Sequence, residues 1–531
     1  MGGVSAFVDK LASGPPRVVA ARLGLVLFVL SAFPLLLVEV PPYQDLPNHL
    51  ASIHVVEHAD KYPEFVFNGH FKTNGALFAW LHLVGKLTGS FVAAKLFAAL
   101  TLATAAFVLP WAVCVLTGDA RRSVMASVFA WPLVHNWFVS MGMLDYALGV
   151  PLSLALLALA KRQLEGPTVR RGLGMAVLGA ATWYAHGFAL LIAYMLVTIE
   201  LLRHGKAGVV RGLRALVLPL SPAALLVVAS VLLHLFEPKG TMNGHVDIFK
   251  ALPVWELLYN AWAEWLWAFT RLEFMTLVPT VVLAIYAFRH REDDVPFFSK
   301  WAGLVLVVVY LVTPYAATNW FHVNSRFLAY FWFFALLRVP PRLPRGLVAL
   351  GLVGAVVNAG AMAVDYVRLE RDRRDFIAGI SAVPEGARLL PLLFRAKGVS
   401  ENSRSLLHAW GFYVIAKDTS APLLFAHSRS FPVMYREPPP DRFNHLVLEG
   451  FAPGMKSAAH MCAFLHENNL EPDDCRREYR ERWDEMWREA LPRFDHVLLW
   501  EASDDVRASV PAEYRPVLER GKLVVLERRA P

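Results

Sequence analysis

The stretch Pro41-Pro42-Tyr43-Gln44-Asp45-Leu46-Pro47-Asn48-His49-Leu50 follows directly on the first long apolar segment of the chain, which runs from Leu23 to Val40. Lys10, Arg17 and Arg22 precede that segment and no small-x-small cleavage site follows it. It therefore reads as an uncleaved membrane helix rather than a signal peptide. The quoted stretch then begins a loop at the membrane surface, and two readings of Asp45 stand open. Asp is a favoured helix cap and Leu46-Pro47 suits a first helical turn, so Asp45 caps a helix over 46–60. A carboxylate at the mouth of a membrane helix is also placed for acid–base chemistry. His49, four residues on, shares the helix face with Asp45, and the two together suit a divalent metal or an acceptor hydroxyl.

The rest of the chain sets the frame for that loop. Apolar residues make up 56% and charged residues 18%, where a soluble domain carries about 25% charged; mean hydropathy is +0.42. The apolar residues come in blocks near the length that crosses a bilayer. Eleven spans are expected, at about 19–40, 91–117, 123–139, 146–160, 172–185, 187–202, 213–236, 272–288, 301–316, 326–339 and 345–365. With the N-terminus inside, nineteen Lys and Arg fall in inner segments and seven in outer ones, the bias expected of cytoplasmic loops. Asn74 to Gly89 is apolar but short, and counting it as a span would carry Arg121 and Arg122 outside. It reads instead as an interfacial helix, which makes 41–90 a large first outer loop with two surface helices. The net charge of +8 is accounted for by these inner loops. No aromatic-interleaved basic stripe accompanies it, which excludes a nucleic-acid partner.

From about Tyr366 the pattern changes. Short apolar runs at Ala387–Phe394, Pro422–Ala426, His496–Trp500 and Lys522–Leu526 read as strands, with helical sequence between them, as at Arg476–Ala490. The expected fold is a polytopic α-helical membrane protein of about eleven transmembrane helices. Its transmembrane domain is 1–365 with the loop 41–90, and 366–531 is a soluble extracytoplasmic α/β domain. Cys114 sits in an apolar block as packing. Cys462 and Cys475 are either a disulfide or two free thiols.

Further candidate residues lie at outer helix ends. Asp145 follows Met141-Gly142-Met143-Leu144 in a tight outer turn, as a second carboxylate or as the cap of a helix starting at Tyr146. His186, between Tyr184 and Gly187, stands where two short helices meet. The loop Ala317–Arg326 holds Asn319, His322, Asn324 and Arg326. Arg326 is its only basic residue, and a guanidinium fork matches phosphate geometry; the alternative is an interfacial anchor. Arg271 and Lys239 are further phosphate candidates.

Together these features resemble the GT-C superfamily of integral-membrane glycosyltransferases, which includes protein O-mannosyltransferases, aminoarabinose transferases and oligosaccharyltransferase catalytic subunits. The run Tyr43 to Leu50 carries the resemblance most clearly, and it covers most of residues 19–365. The run is also similar to one in a group of bacterial membrane proteins with Asp-x-Pro-Asn-His-Leu at this point. The resemblance implies a multi-pass enzyme of the bacterial inner membrane, N-terminus cytoplasmic. It would move a sugar from a polyprenyl-phosphate donor to an envelope lipid, glycan or protein acceptor. It implies catalytic roles for Asp45, His49 and Asp145, with Asp45 and Asp145 holding any divalent metal ion. It implies substrate binding by His186, His322, Arg326 and Arg271, with Arg326 on the donor phosphate. Two departures stand out: Gln44 occupies the place of a second adjacent acid, and the Trp-Trp-Asp acceptor motif is missing. A non-catalytic GT-C-like scaffold and a lipid or glycan transporter or flippase are the alternatives. Against a transporter count the lack of an internal repeat and the clustering of ionisable residues at outer helix ends.

Overall fold

The computed structural model describes residues 8–235, 248–318, 320–426, 431–437, 443 and 475–529. Among the described residues seven helices are long and apolar enough to cross a membrane: Pro16–Leu37, Ser90–Thr117, Leu144–Glu165, Val169–Arg203, Gly205–Leu233, Arg271–Arg289 and Arg345–Ala382. Two shorter apolar helices are Ala76–Thr88 and Lys300–Val312.

The continuous stretch Val169–Arg203 is a hairpin of two helices. His186 breaks it with extended backbone, φ −161° and ψ 111°. Positions 172, 179 and 183 lie against Pro219, Ala223 and Ser230, whereas Tyr194 and Leu201 lie against Leu220 and Gly212. The partner positions first climb along Gly205–Leu235 and then descend, so the two arms run in opposite directions. Spans 172–185 and 187–202 are thus separate passes, with His186 at the tip.

The expected span 123–139 is not one helix. It is three short pieces, Ala120–Ser127, Trp131–Val134 and Trp137–Ser140. Pro132 sits in the first turn of the second piece, a place that needs no N–H, and the Asn136 side chain caps the third by accepting from Val139 N at 3.3 Å. Non-helical backbone at membrane depth is tolerated where protein covers it, and residues 123–126 and 128–142 are buried. The segment still joins the two ends of the bundle. Arg122 pairs with Asp293 at 3.1 Å, while Ser140 and Met141 meet Gln44 and Asp45. With Lys300–Val312, the 3-10 turn Asn324–Phe327 continued by Leu328–Leu336, and the helix from Arg345, the described residues traverse the bundle in eleven passes.

The first loop stays at one end. Its two helices are Leu46–Glu57 and Ala76–Thr88, as the hydropathy requires. The C-terminal part packs on that same end, around a four-stranded sheet ordered Leu389–Leu393, His496–Trp500, Leu523–Arg528, Tyr514–Arg520. The first pair is parallel and the others antiparallel. The helix Cys475–Ala490 flanks it. Two small antiparallel pairs tie distant segments together: Phe65–Phe67 with Val433–Tyr435, and Ile248–Lys250 with Ala316–Thr318. Pro422–Ala426 is not a strand. The Asn48 side chain takes over its backbone groups, donating to Leu423 O at 3.1 Å and accepting from Phe425 N at 3.1 Å. Cys462 and Lys239 lie outside the described residues.

The loop helix meets the C-terminal part at almost no separation. A Cβ on Gly411 would stand 2.4 Å from Pro47 O. Gly411→Ala therefore forces these two elements apart, an overpacking cost of about 1–3 kcal/mol. A lowered unfolding midpoint in detergent is expected, against no loss for Gly346→Ala, whose Cβ meets nothing within 4 Å.

Candidate functional site

A cavity of about 530 Å³ opens between the first loop, the bundle and the C-terminal part. Asp45, His49, Asp145, His186, His322 and Arg326 all line it. Arg271 does not. Its side chain is 87% exposed and pairs with Glu401 at 2.7 Å, so its place among the substrate-binding residues is withdrawn: it points to solvent and holds a neighbouring acid.

Asp45 stands before the helix Leu46–Glu57, but its side chain caps nothing. Its backbone N–H donates to Met141 O at 3.0 Å, and Gln44 N–H to Ser140 O at 3.1 Å. Gly142 makes this close approach possible. It has φ +83°, and a Cβ there would lie 2.9 Å from Asp45 N. The carboxylate is freed to face His408, with Oδ1 3.4 Å from Nε2. Gln44 bridges the neighbourhood: its amide Nε2 donates to Asp45 Oδ1 at 3.3 Å, and its Oε1 accepts from Arg404 N at 2.9 Å. A second acid in place of Gln44 would repel Asp45 and lose one of those bonds.

His49 is buried, and its Nδ1 has no hydrogen-bond partner. Phe78, Phe425 and Phe431 surround the ring at centroid distances of 5.0, 6.0 and 6.5 Å. Desolvation lowers its pKa to about 4; Asp45 opposes the shift and His408 adds to it. The imidazole is neutral at pH 7.

Asp145 has a structural task. Its Oδ1 accepts from Leu77 N at 2.8 Å, so it caps the helix Ala76–Thr88 rather than its own. Among the described residues the pair Asp45 and Asp145 gains no third ligand. Among the described residues the group that brings three ligand atoms within 4.8 Å of one another is His54, His58 and Asp418, away from this cavity.

The opposite wall carries cations. Arg326 is 6% exposed and lies over the rings of Tyr146, Phe188 and Trp320 at 5.9, 5.6 and 5.3 Å. Its Nε has no partner, and no carboxylate pairs with it among the described residues. Tyr146 donates to the Arg326 carbonyl and stacks edge-on against His186, centroids 4.9 Å apart. His186 Nδ1 accepts from Phe188 N at 3.2 Å, which leaves Nε2 for a ligand. His322, in the left-handed region at φ +58°, has its Nδ1 3.2 Å from Glu264, and Ser325 donates to the same carboxylate.

Several residues of this cavity carry no sequence signal. His408, 1% exposed, Arg404 and Lys397 come from the C-terminal part, and Glu264 and Lys250 from the loop before Arg271. Backbone bonds from Glu401 N and Asn402 N to Phe269 O, with side-chain bonds from Ser400 Oγ to Phe269 O at 3.2 Å and from Asn402 Nδ2 to Ala263 O at 2.7 Å, help bring the segment 400–408 over the bundle.

No family model and no curated protein matches this chain. Among solved structures it is similar to the crystal structure of ArnT from Cupriavidus metallidurans in the apo state, at 12% identity and a TM-score of 0.46, over 96% of this chain and 97% of that one.

Proposed function

We propose that this membrane protein is a glycosyltransferase. It transfers a sugar from a polyprenyl-phosphate donor to a hydroxyl of an envelope lipid, glycan or protein acceptor. The single observation that carries the reading is Arg326, a buried cation with no carboxylate partner among the described residues, opening on the same cavity as Asp45. Burying an ion costs several kcal/mol even after relaxation, while a cation–π contact returns about 0.5–2 kcal/mol. Three rings leave a deficit that an anionic ligand would remove. Lys397 and Arg404 on the facing wall extend the same preference. The volume falls in the ordinary range for a ligand site, about 300–1,000 Å³.

The chemistry is one displacement at the anomeric carbon. The acceptor oxygen forms the new bond to C1, its proton passes to the Asp45 carboxylate, and the bond from C1 to the phosphate oxygen breaks. Configuration inverts, and polyprenyl phosphate leaves with the electron pair, its charge met by Arg326. His408 and Gln44 are positioning residues that aim the Asp45 carboxylate. Asp145 positions the first loop. His49, His186 and His322 offer ring nitrogens as donors or acceptors to the sugar hydroxyls. The resemblance of residues 43–50 to GT-C enzymes supports the same reading.

Asp45→Asn keeps the shape and removes the base. Transfer from a polyprenyl-phosphate sugar should fall about 10²–10⁴-fold with an unchanged unfolding midpoint. Full activity in this variant, or an envelope restored to the wild-type glycans and lipids when it complements a deletion strain, sinks the reading in favour of a scaffold or transporter. Arg326→Gln should raise KM for the donor at least tenfold while leaving binding of the unphosphorylated sugar unchanged; equal loss for both would remove Arg326 from the phosphate. For His49 the folded pKa of about 4 lies below the ordinary imidazole value of 6.5. The unfolded chain takes the proton first, so its contribution is intact above about pH 6.5 and lost as pH falls toward 4. The unfolding midpoint of His49→Gln should therefore decline less steeply than wild type across that window.

A further inference from the structure

A second cluster lies at the junction of the first loop and the C-terminal part, outside the cavity. His54 and His58 stand on consecutive turns of the loop helix, ring centroids 4.2 Å apart. Asp418 follows the helix Gly411–Lys417 at φ +51°, a left-handed position that Asp tolerates better than most residues. That turn brings its Oδ1 to 2.7 Å from His54 Nε2. Nδ1 of His58 lies 3.0 Å from the carbonyl of His54. A carbonyl can only accept, so Nδ1 carries the proton and Nε2 of His58 is free to bind a metal. One nitrogen from each imidazole and one carboxylate oxygen lie within 4.8 Å of one another.

We infer that His54, His58 and Asp418 form a binding site for a transition-metal dication of the zinc class, which clamps the first-loop helix to the C-terminal part. Two imidazoles and a carboxylate suit zinc-like ions rather than calcium or magnesium, which prefer all-oxygen sets. Tetrahedral zinc holds nitrogen and oxygen ligands at about 2.0–2.2 Å, so its ligand atoms stand roughly 3.4 Å apart. The 2.7 Å contact must open and the wider ones close, each by about 1 Å, which side-chain torsions alone supply. Water completes the fourth position.

Lys61 is the one opposing feature: its Nζ lies 2.5 Å from Asp418 Oδ2. It leaves Oδ1 for the metal but adds a like charge beside it. The clamp matters for the cavity because Asp45 and His49 precede His54 on the loop helix, and His408 lies just before the helix that ends at Asp418.

The test is cobalt titration of the full chain in detergent, metal-stripped and free of any affinity tag, with Co²⁺ as a spectroscopic stand-in. One equivalent should give visible bands of a four-coordinate site, and Zn²⁺ should displace it. His58→Gln and Asp418→Asn should each weaken it at least tenfold. Lys61→Met should tighten it several-fold, a gain that no misfolded variant would give. Asp45→Asn should retain it. The inference is overturned if wild type takes up no cobalt, or if His58→Gln and Asp418→Asn both bind as wild type does. It is equally overturned if the bands disappear in Asp45→Asn and survive in His58→Gln.

Discussion

The organisation of this protein depends on a short splice of backbone hydrogen bonds. Gln44 N–H and Asp45 N–H are given to Ser140 and Met141, so the loop after the first membrane helix is stitched to the turn before the fourth pass. The approach is close enough that position 142 has no room for a Cβ. Three residues on, Asn48 uses its whole side-chain amide on the backbone of Leu423 and Phe425. Within one turn of helix the same segment thus grips the bundle on one side and the C-terminal part on the other. The cavity is what these two grips enclose, with Asp45 between them.

Two buried arginines sit in contrasting surroundings within the bundle. Arg338 is wholly buried near the opposite end. It gives its guanidinium to the carbonyls of Phe334, Asp293 and Phe298 and lies 3.6 Å from the Phe334 ring centroid. Its Nη1 and Nη2 donate to backbone carbonyls, the usual way a cation is kept at membrane depth, and only its Nε is left without a partner. Arg326 is nearly as buried but faces only aromatic rings and the cavity. The same residue type is tied to backbone carbonyls in one place and faces a cavity in the other, and the surrounding acceptors distinguish them.

The path of the chain was legible from local pattern. Hydropathy blocks gave most of the apolar helices and a separate short helix within 74–89, and the His186 turn was visible as Ala185-His186-Gly187 between two apolar runs. The single-helix expectation for 123–139 failed because hydropathy does not register that Pro132 and Asn136 break a segment which protein, not lipid, encloses. Arg271 was misplaced because a basic residue at a helix end looks alike whether it faces a cavity or solvent. Gln44 looked like a lost acid, and its bridge to Arg404 is invisible without the fold.

The sequence by itself determined a multi-pass helical membrane protein with Asp45, His49 and Arg326 at one end of it, since residue periodicity and charge bias act over a few turns of chain. Only the tertiary structure decided that Asp45 faces His408, that Asp145 caps a neighbouring helix, and that Arg326 has no counterion among the described residues. Those facts rest on contacts between segments far apart in the chain. Packing and the need to satisfy buried backbone groups select such contacts, and no local pattern records them.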